Sequence, residues 1–250
     1  DLNIKMFNHF QNTITGWPGG KPGFDDSTRP ERKSPSSKRV IIFSPHPDDD
    51  VVSMGGTFDR LVSQGHEVHI SYQVRGNIAV SDHDALKFIE VSKDMFENDS
   101  KVHVSDLVKE LKNNKPDKID SQSVRNLKGF IRKREAIAAT RYIGIPDSNT
   151  HFMNLPFYDT GRIKKNPPTK KDVLITASLI KKIKPHQIFA AGDLEDPHGT
   201  HKVCLDIILK ALDTLKGEKF IKDCWLWLYR GAWLDWDIHD IDMAVPMSPA

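Results

Sequence analysis

Residues 39–57, "RVIIFSPHPDDDVVSMGGT", put an apolar run directly before an acidic cluster. Arg39 to Phe43 read as a buried strand, because a short β-branched and aromatic run has no polar face. His46 and three consecutive aspartates, Asp48, Asp49 and Asp50, follow at once. Adjacent carboxylates repel one another, so such a cluster is tolerated where it is solvated or gathered around a cation. Beyond it, Thr57, Phe58, Leu61 and Val62 recur at helical spacing, and Gly65 supplies a helix stop. "HEVHISYQV", from His66, is a second strand. Strand, glycine-containing loop, helix and strand make a βαβ unit.

The same alternation continues towards the C-terminus. A long helical stretch runs through "DALKFIEVSKDMF", a lysine-rich middle and "VRNLKGFIRKREAIAATRYIG", closing at Gly144. "HFMNLP" is a short strand. "KKDVLITASLIKKIKP" is an amphipathic helix stopped by Pro185, and "QIFAAGD" is the next strand. "HKVCLDIILKALDTL" is a helix and "DCWLWLY" a final strand with large aromatics. The pattern predicts an α/β fold, a Rossmann-like three-layer sandwich with a mostly parallel sheet. Residues 1–38 differ: "TGWPGGKPGFDDSTRPERKSPSSK" is rich in Pro, Gly, Ser and charge and has no periodicity. That is linker chemistry. The expected organisation is therefore a connector over 1–38, with Trp17 and Phe24 as its docking residues, and one domain over 39–250.

The totals exclude several classes of function. Net charge is +2 in 250 residues, and the lysines are scattered among acids, so nucleic acid and acidic membrane are not expected partners. No apolar run approaches the ~20 residues of a membrane span, and no basic-then-apolar signal segment opens the chain. Cys204 and Cys224 match no zinc spacing and form no disulfide framework, so they are expected as packed thiols in a reducing, cytoplasmic setting.

In open α/β sheets, ligands bind beyond the carboxyl ends of the strands. His46, Asp48, Asp49 and Asp50 stand there after the first strand. A second polar loop, "GDLEDPHGTH", follows "QIFAAGD" at an equivalent place and offers Asp193, Glu195, Asp196, His198 and His201. Two imidazoles and a carboxylate are a standard ligand set for a divalent transition metal with open positions. His198 and His201, three apart at a helix start, can serve one site. Taken singly, the aspartates could do no more than stabilise a helix N-terminus. Two such loops at equivalent positions favour a metal centre.

"SPHPDDD" followed by "GGT" resembles the His-Pro-Asp-Asp-Glu signature of the PIG-L/LmbE-like family of zinc-dependent N-acetylglucosaminide deacetylases. "DPHGTH" resembles that family's His-x-x-His motif, and "RKREAIAATRYIGI" its Arg-x-x-Glu helix. The stretch from "TGWPGGKP" to "GGTF" is similar to the PIG-L-like domain that follows a glucosamine-6-phosphate deaminase-like domain in some bacterial fusion proteins. The resemblance implies His46, Asp49 and His201 as metal ligands. It implies Asp48 as general base, and His198 as the group that stabilises the oxyanion or protonates the leaving amine. Zinc is the implied ion, with iron(II) or another divalent transition metal as the other candidates. The implied substrate is a small amino sugar, N-acetylglucosamine or its 6-phosphate, and the implied partner a fused N-terminal deaminase-like domain. Asp50 stands where the family has Glu, one methylene longer, so a hydrogen bond around the ligands is expected to be re-aimed.

Arg75 and Asn77, after the second strand, are expected to border the same crevice and bind substrate, Arg75 bidentately. Arg134 and Glu135 are read as an internal ion pair. His66, His69, His83, His103, His151, His186 and His239 are read as structural or exposed, and the tryptophans from Trp225 to Trp236 as core and rim packing. Two other functions stand beside the deacetylase: a non-catalytic metal-binding regulator or scaffold, and a magnesium phosphohydrolase. The histidines disfavour the latter, since magnesium prefers oxygen ligands.

Overall fold

The computed structural model describes residues 37–95, 104–114, 119–162, 164–231 and 233–245, together with Leu2. The connector expected over 1–38, Trp17 and Phe24 included, lies almost wholly outside the described residues, as does His103. Five strands form one sheet: β1 (Arg39–Ser44), β2 (Glu67–Tyr72), β3 (Thr150–Phe152), β4 (Gln187–Ala191) and β5 (Trp225–Tyr229). Their order is β3-β2-β1-β4-β5, and every pairing is parallel. The helices are α1 (Asp49–Ser63), α2 (Asp82–Met95), α3 (Val104–Lys112), α4 (Gln122–Tyr142), α5 (Lys170–Ile183) and α6 (Thr200–Thr214). The single long helical stretch read from the sequence is thus α2, α3 and α4.

Alternation along the central strands divides the core into two faces. Val40 and Ile42 of β1 pack with Phe58 and Leu61 of α1 and Ala136 of α4. Ile41 and Phe43 point the other way, against Ala177 and Ile180 of α5 and Ile208 and Ala211 of α6. A satellite cluster around Ala85, Leu111, Val124 and Ile131 joins α2 and α3 to α4. Within it the Lys128 ammonium, itself buried, donates to Asp82 at 2.6 Å and to Asp120 at 2.8 Å. Both faces of the sheet are covered, as a parallel sheet requires.

The strand order reverses between β1 and β4: β2 and β3 extend to one side of β1, β4 and β5 to the other. At such a switch point the loops leaving the two central strands part to opposite faces and leave a crevice. The loop after β1 carries His46 to Asp48, and the loop after β4 carries Asp193 to Gly199.

Candidate metal centre

α1 begins earlier than the hydrophobic spacing suggested, directly within the acidic cluster. The Asp48 carbonyl accepts the N–H groups of Val51 at 3.0 Å and Val52 at 2.9 Å, and a kink at Met54 separates this first turn from the rest. The early start fixes how the three aspartates diverge. Asp48 stands at the N-cap, yet its side chain caps nothing. It projects into the cavity, where Oδ1 forms an ion pair with Arg132 Nη2 at 2.8 Å. Asp49 turns inward. Its Oδ2 accepts the His46 backbone N–H at 2.8 Å and lies 3.2 Å from both His46 Nδ1 and His201 Nε2. Asp50, fully buried, turns away beneath the loop and is held by the Tyr72 hydroxyl at 2.9 Å and by Ser44.

The second loop reaches the same point from β4. Gly199 precedes α6 with φ of 65°, a left-handed conformation that glycine adopts without a Cβ clash. Asp196 organises the turn. One carboxylate oxygen accepts the His198 N–H at 3.0 Å, the other the N–H groups of Thr200 at 2.6 Å and His201 at 3.0 Å. Three orphan donors at the start of α6 are thereby satisfied, and the His201 ring is aimed at Asp49. Gly76 lets the loop after β2 close on both: an added Cβ there would sit 2.9 Å from Pro47 and 3.2 Å from Arg132.

His46, Asp49 and His201 each bring a ligand atom within 4.8 Å of the others. Burial pushes the Asp49 carboxyl up, but hydrogen bonds from His201 and His46 outweigh it and hold the group well below the usual carboxylate range. Burial pushes His201 down, and the Asp49 carboxylate overcomes that and raises it. Two imidazoles converging on one ionised carboxylate stabilise positive charge at a common point. This donor set fits a divalent transition metal. His201 Nδ1 and Thr200 Oγ1 are buried without partners beside it. Burial raises Asp50 to about 6 despite the hydrogen bond from Tyr72, and Asp50 makes no hydrogen bond to either imidazole.

A cavity of about 280 Å³ opens over this triad, lined also by Asp48, His198, Arg132, Tyr158, Lys165 and Trp233. The His198 side chain is exposed to it and makes no hydrogen bond among the described residues. The structure therefore brings His46, Asp48, Asp49, His198 and His201 together. It does not bring Arg75 or Asn77 to this cavity. The Arg75 guanidinium is drawn to Asn126 at 2.9 Å and Asn154 at 3.2 Å, in a neighbouring cleft under Pro47. Asn77 is buried in the turn after Gly76, and its neighbours Ile78 and Ala79 face the cavity instead.

Arg132 is the arginine that sequence reasoning passed over. Arg134, the expected partner of Glu135, forms no ion pair with it among the described residues. Two signals point to it: Arg132 is the Arg of the Arg-x-x-Glu motif that ends at Glu135, and it lies four residues after buried Lys128 and four before buried Ala136, so it faces inward. Tyr158 ends a one-turn 3-10 helix (Pro156–Tyr158), and Lys165 and Trp233 come from irregular segments; none of the three has a periodic signal. The tryptophans also divide otherwise than expected: Trp225 is exposed on the edge strand and stacked on Trp227, while Trp233 joins the cavity wall.

The family model described as PIG-L, GlcNAc-PI de-N-acetylase, matches residues 41–212. A putative glucosamine-6-phosphate deaminase-like protein of Bacteroides thetaiotaomicron is 53% identical over 258 residues, covering 100% of this chain and 39% of that protein. The chain thus spans well under half the length of this curated relative. Among solved structures, N,N'-diacetylchitobiose deacetylase of Pyrococcus horikoshii gives a TM-score of 0.47 at 16% identity, covering 75% of this chain and 54% of that one. The 4-carboxy-2-hydroxymuconate hydratase of Pseudomonas putida gives 0.45 at 17% identity, covering 73% and 59%.

Proposed function

The chain belongs to the PIG-L family, GlcNAc-PI de-N-acetylases, and on that premise we propose that it is a metal-dependent amide hydrolase removing the acetyl group from an N-acetylglucosamine-type substrate. The observation that carries the reading is the convergence of His46 and His201 on Asp49 inside a cavity whose wall holds Asp48 and His198.

His46, Asp49 and His201 are the proposed ligands, for zinc in the first place. When bound, a divalent cation supplies Lewis-acid polarisation of a carbonyl and makes hydroxide available near neutral pH. Asp48 is the proposed base. Its carboxylate faces the cavity, and the ion pair with Arg132 engages one oxygen, leaving the other to take a proton from water. His198 is the remaining imidazole on the wall. Protonated, it opposes the charge that develops on the amide oxygen and then hands its proton to the leaving amine. Asp196 holds His198 and His201 in register through their backbone N–H groups.

The cavity is near the lower end of small-molecule sites, ~300–1,000 Å³, and it is open. That supports an enzyme over a non-catalytic regulator, whose pocket could be filled. The relative's name adds a second proposal: the product is an amino sugar that a fused deaminase-like domain would consume. The test is acetate release by zinc-loaded protein from N-acetylglucosamine, its 6-phosphate and N-acetylated disaccharides, with Asp48→Asn alongside. Turnover of any of these that is lost in the variant is the expected result. No acetate from any acetylated amino sugar, with one equivalent of metal bound, overturns the reading.

A further inference from the structure

Lys165 is a cation on the cavity wall that the proposed chemistry does not use. It is half-buried, and among the described residues no carboxylate lies within ion-pair distance of it. Its ammonium donates to the Arg162 carbonyl at 2.6 Å and sits 3.8 Å from the centroid of the Tyr158 ring. That ring in turn packs edge-on to His46, with centroids 6.0 Å apart. The ammonium is thus one aromatic ring away from the metal triad. Burial pushes it down to about 8, the mark of a charge taken out of water without a counter-ion.

The rest of the wall does not supply that counter-ion. Asp48 is engaged by Arg132, Asp49 by two imidazoles, and Asp196 by three backbone N–H groups. Three carboxylates therefore face two side-chain cations, Arg132 and Lys165, and a divalent ion at the triad leaves the cavity net positive. A neutral sugar that covered Lys165 would leave its charge without a counter-ion, which costs binding energy. A phosphate group would pair it, and lysine suits phosphate as a point charge.

We propose that Lys165 is a specificity-determining residue that pairs with a phosphate monoester on the sugar, so that the cavity selects phosphorylated over neutral amino sugars. This rests on the deacetylase reading for its substrate class, but its test does not require turnover. Calorimetric titration of the zinc-loaded protein with glucosamine 6-phosphate and with glucosamine measures the preference directly. The phosphate ester should bind at least about tenfold more tightly, the size of one charge-assisted hydrogen bond. Lys165→Met and Lys165→Gln should bring the two ligands within about twofold of each other, and Lys165→Arg should retain most of the preference. Equal binding of both ligands to the parent protein overturns the proposal. So does a full preference in folded Lys165→Met and Lys165→Gln, which would put the phosphate on the metal rather than the lysine. Acetate release from the N-acetylated pair, run separately, decides the deacetylase reading on its own.

Discussion

Two pairs of neighbouring histidines among the described residues behave differently. His46 and His201 come from the loop after β1 and the start of α6, and both aim a ring nitrogen at the same oxygen of Asp49, 3.2 Å away. His69 and His151 sit on the neighbouring strands β2 and β3, stacked with centroids 5.3 Å apart. There the ring nitrogens are divided: His69 Nδ1 meets His151 Nε2 at 3.1 Å, while His69 Nε2 meets Glu67 at 3.1 Å. No point is common to all three groups. Proximity of imidazoles is therefore not enough for a metal centre. Lone pairs must converge, a carboxylate must be held ionised among them, and a cavity must admit the ion and a substrate. Loops at a strand-order reversal can meet these demands. Adjacent strand residues, whose side chains stand side by side, satisfy one another instead.

The sharpest way to break this contrast is by metal content. Protein purified without chelator should carry about one equivalent of a divalent metal. His201→Ala should lose most of it, whereas His151→Ala should keep it. Equal retention in both variants would remove the distinction. Next comes turnover. Asp48→Asn keeps the shape of the side chain but not the base, so kcat should fall roughly 100-fold or more with metal retained. Loss of metal instead would mean that the roles of Asp48 and Asp49 are exchanged.

The two supporting carboxylates provide a smaller test. Asp196→Ala leaves three N–H groups at the start of α6 without their acceptor and should cost about 1–3 kcal/mol in urea unfolding, with weakened metal binding. Glu67→Ala, on the half-exposed side of the other pair, should stay within about 0.5 kcal/mol. The remaining test concerns acid. Burial first, then His69 and Lys182, lowers His151 from 6.5 to about 4. The unfolded chain therefore binds more protons between these values, and stability declines as pH falls from 6.5 towards 4. After allowance for solvent screening the loss is about 1 kcal/mol, or roughly 2–4 °C in Tm. The fall in Tm across that window should be shallower in His151→Gln than in the parent. An identical fall would mean that His151 does not titrate as the stacked geometry implies.

Much of the fold was legible because its signals are local. The runs at β1 and β4 are largely apolar on both faces, as strands buried between two helical layers must be, β2 alternates apolar Val68, Ile70 and Tyr72 with polar residues, and the helices that follow repeat every three to four residues. Both polar loops could be placed at strand ends for the same reason, and His46, Asp49 and His201 met as their motifs suggested. Arg75 shows where that logic stops. It follows β2 at the expected end of the sheet, yet Asn126 and Asn154, 51 and 79 residues away in sequence, draw its guanidinium into another cleft.

The sequence by itself determined the alternation of strands and helices and the residue types that could hold a metal, since periodicity and ligand chemistry are properties of neighbouring residues. Only the tertiary structure decided which charges share the cavity. Arg132 enters it from the middle of α4, Lys165 from the irregular loop before α5, and Trp233 from the segment after β5. Lys165 and Trp233 lie outside the motifs in sequence, and Arg132, although it opens the Arg-x-x-Glu motif, reaches the cavity only through the packing of α4. The direction of a long side chain is set by partners that the fold brings from elsewhere, so the cavity wall is decided by packing, whereas the floor of His46, Asp49 and His201 is written in two short loops.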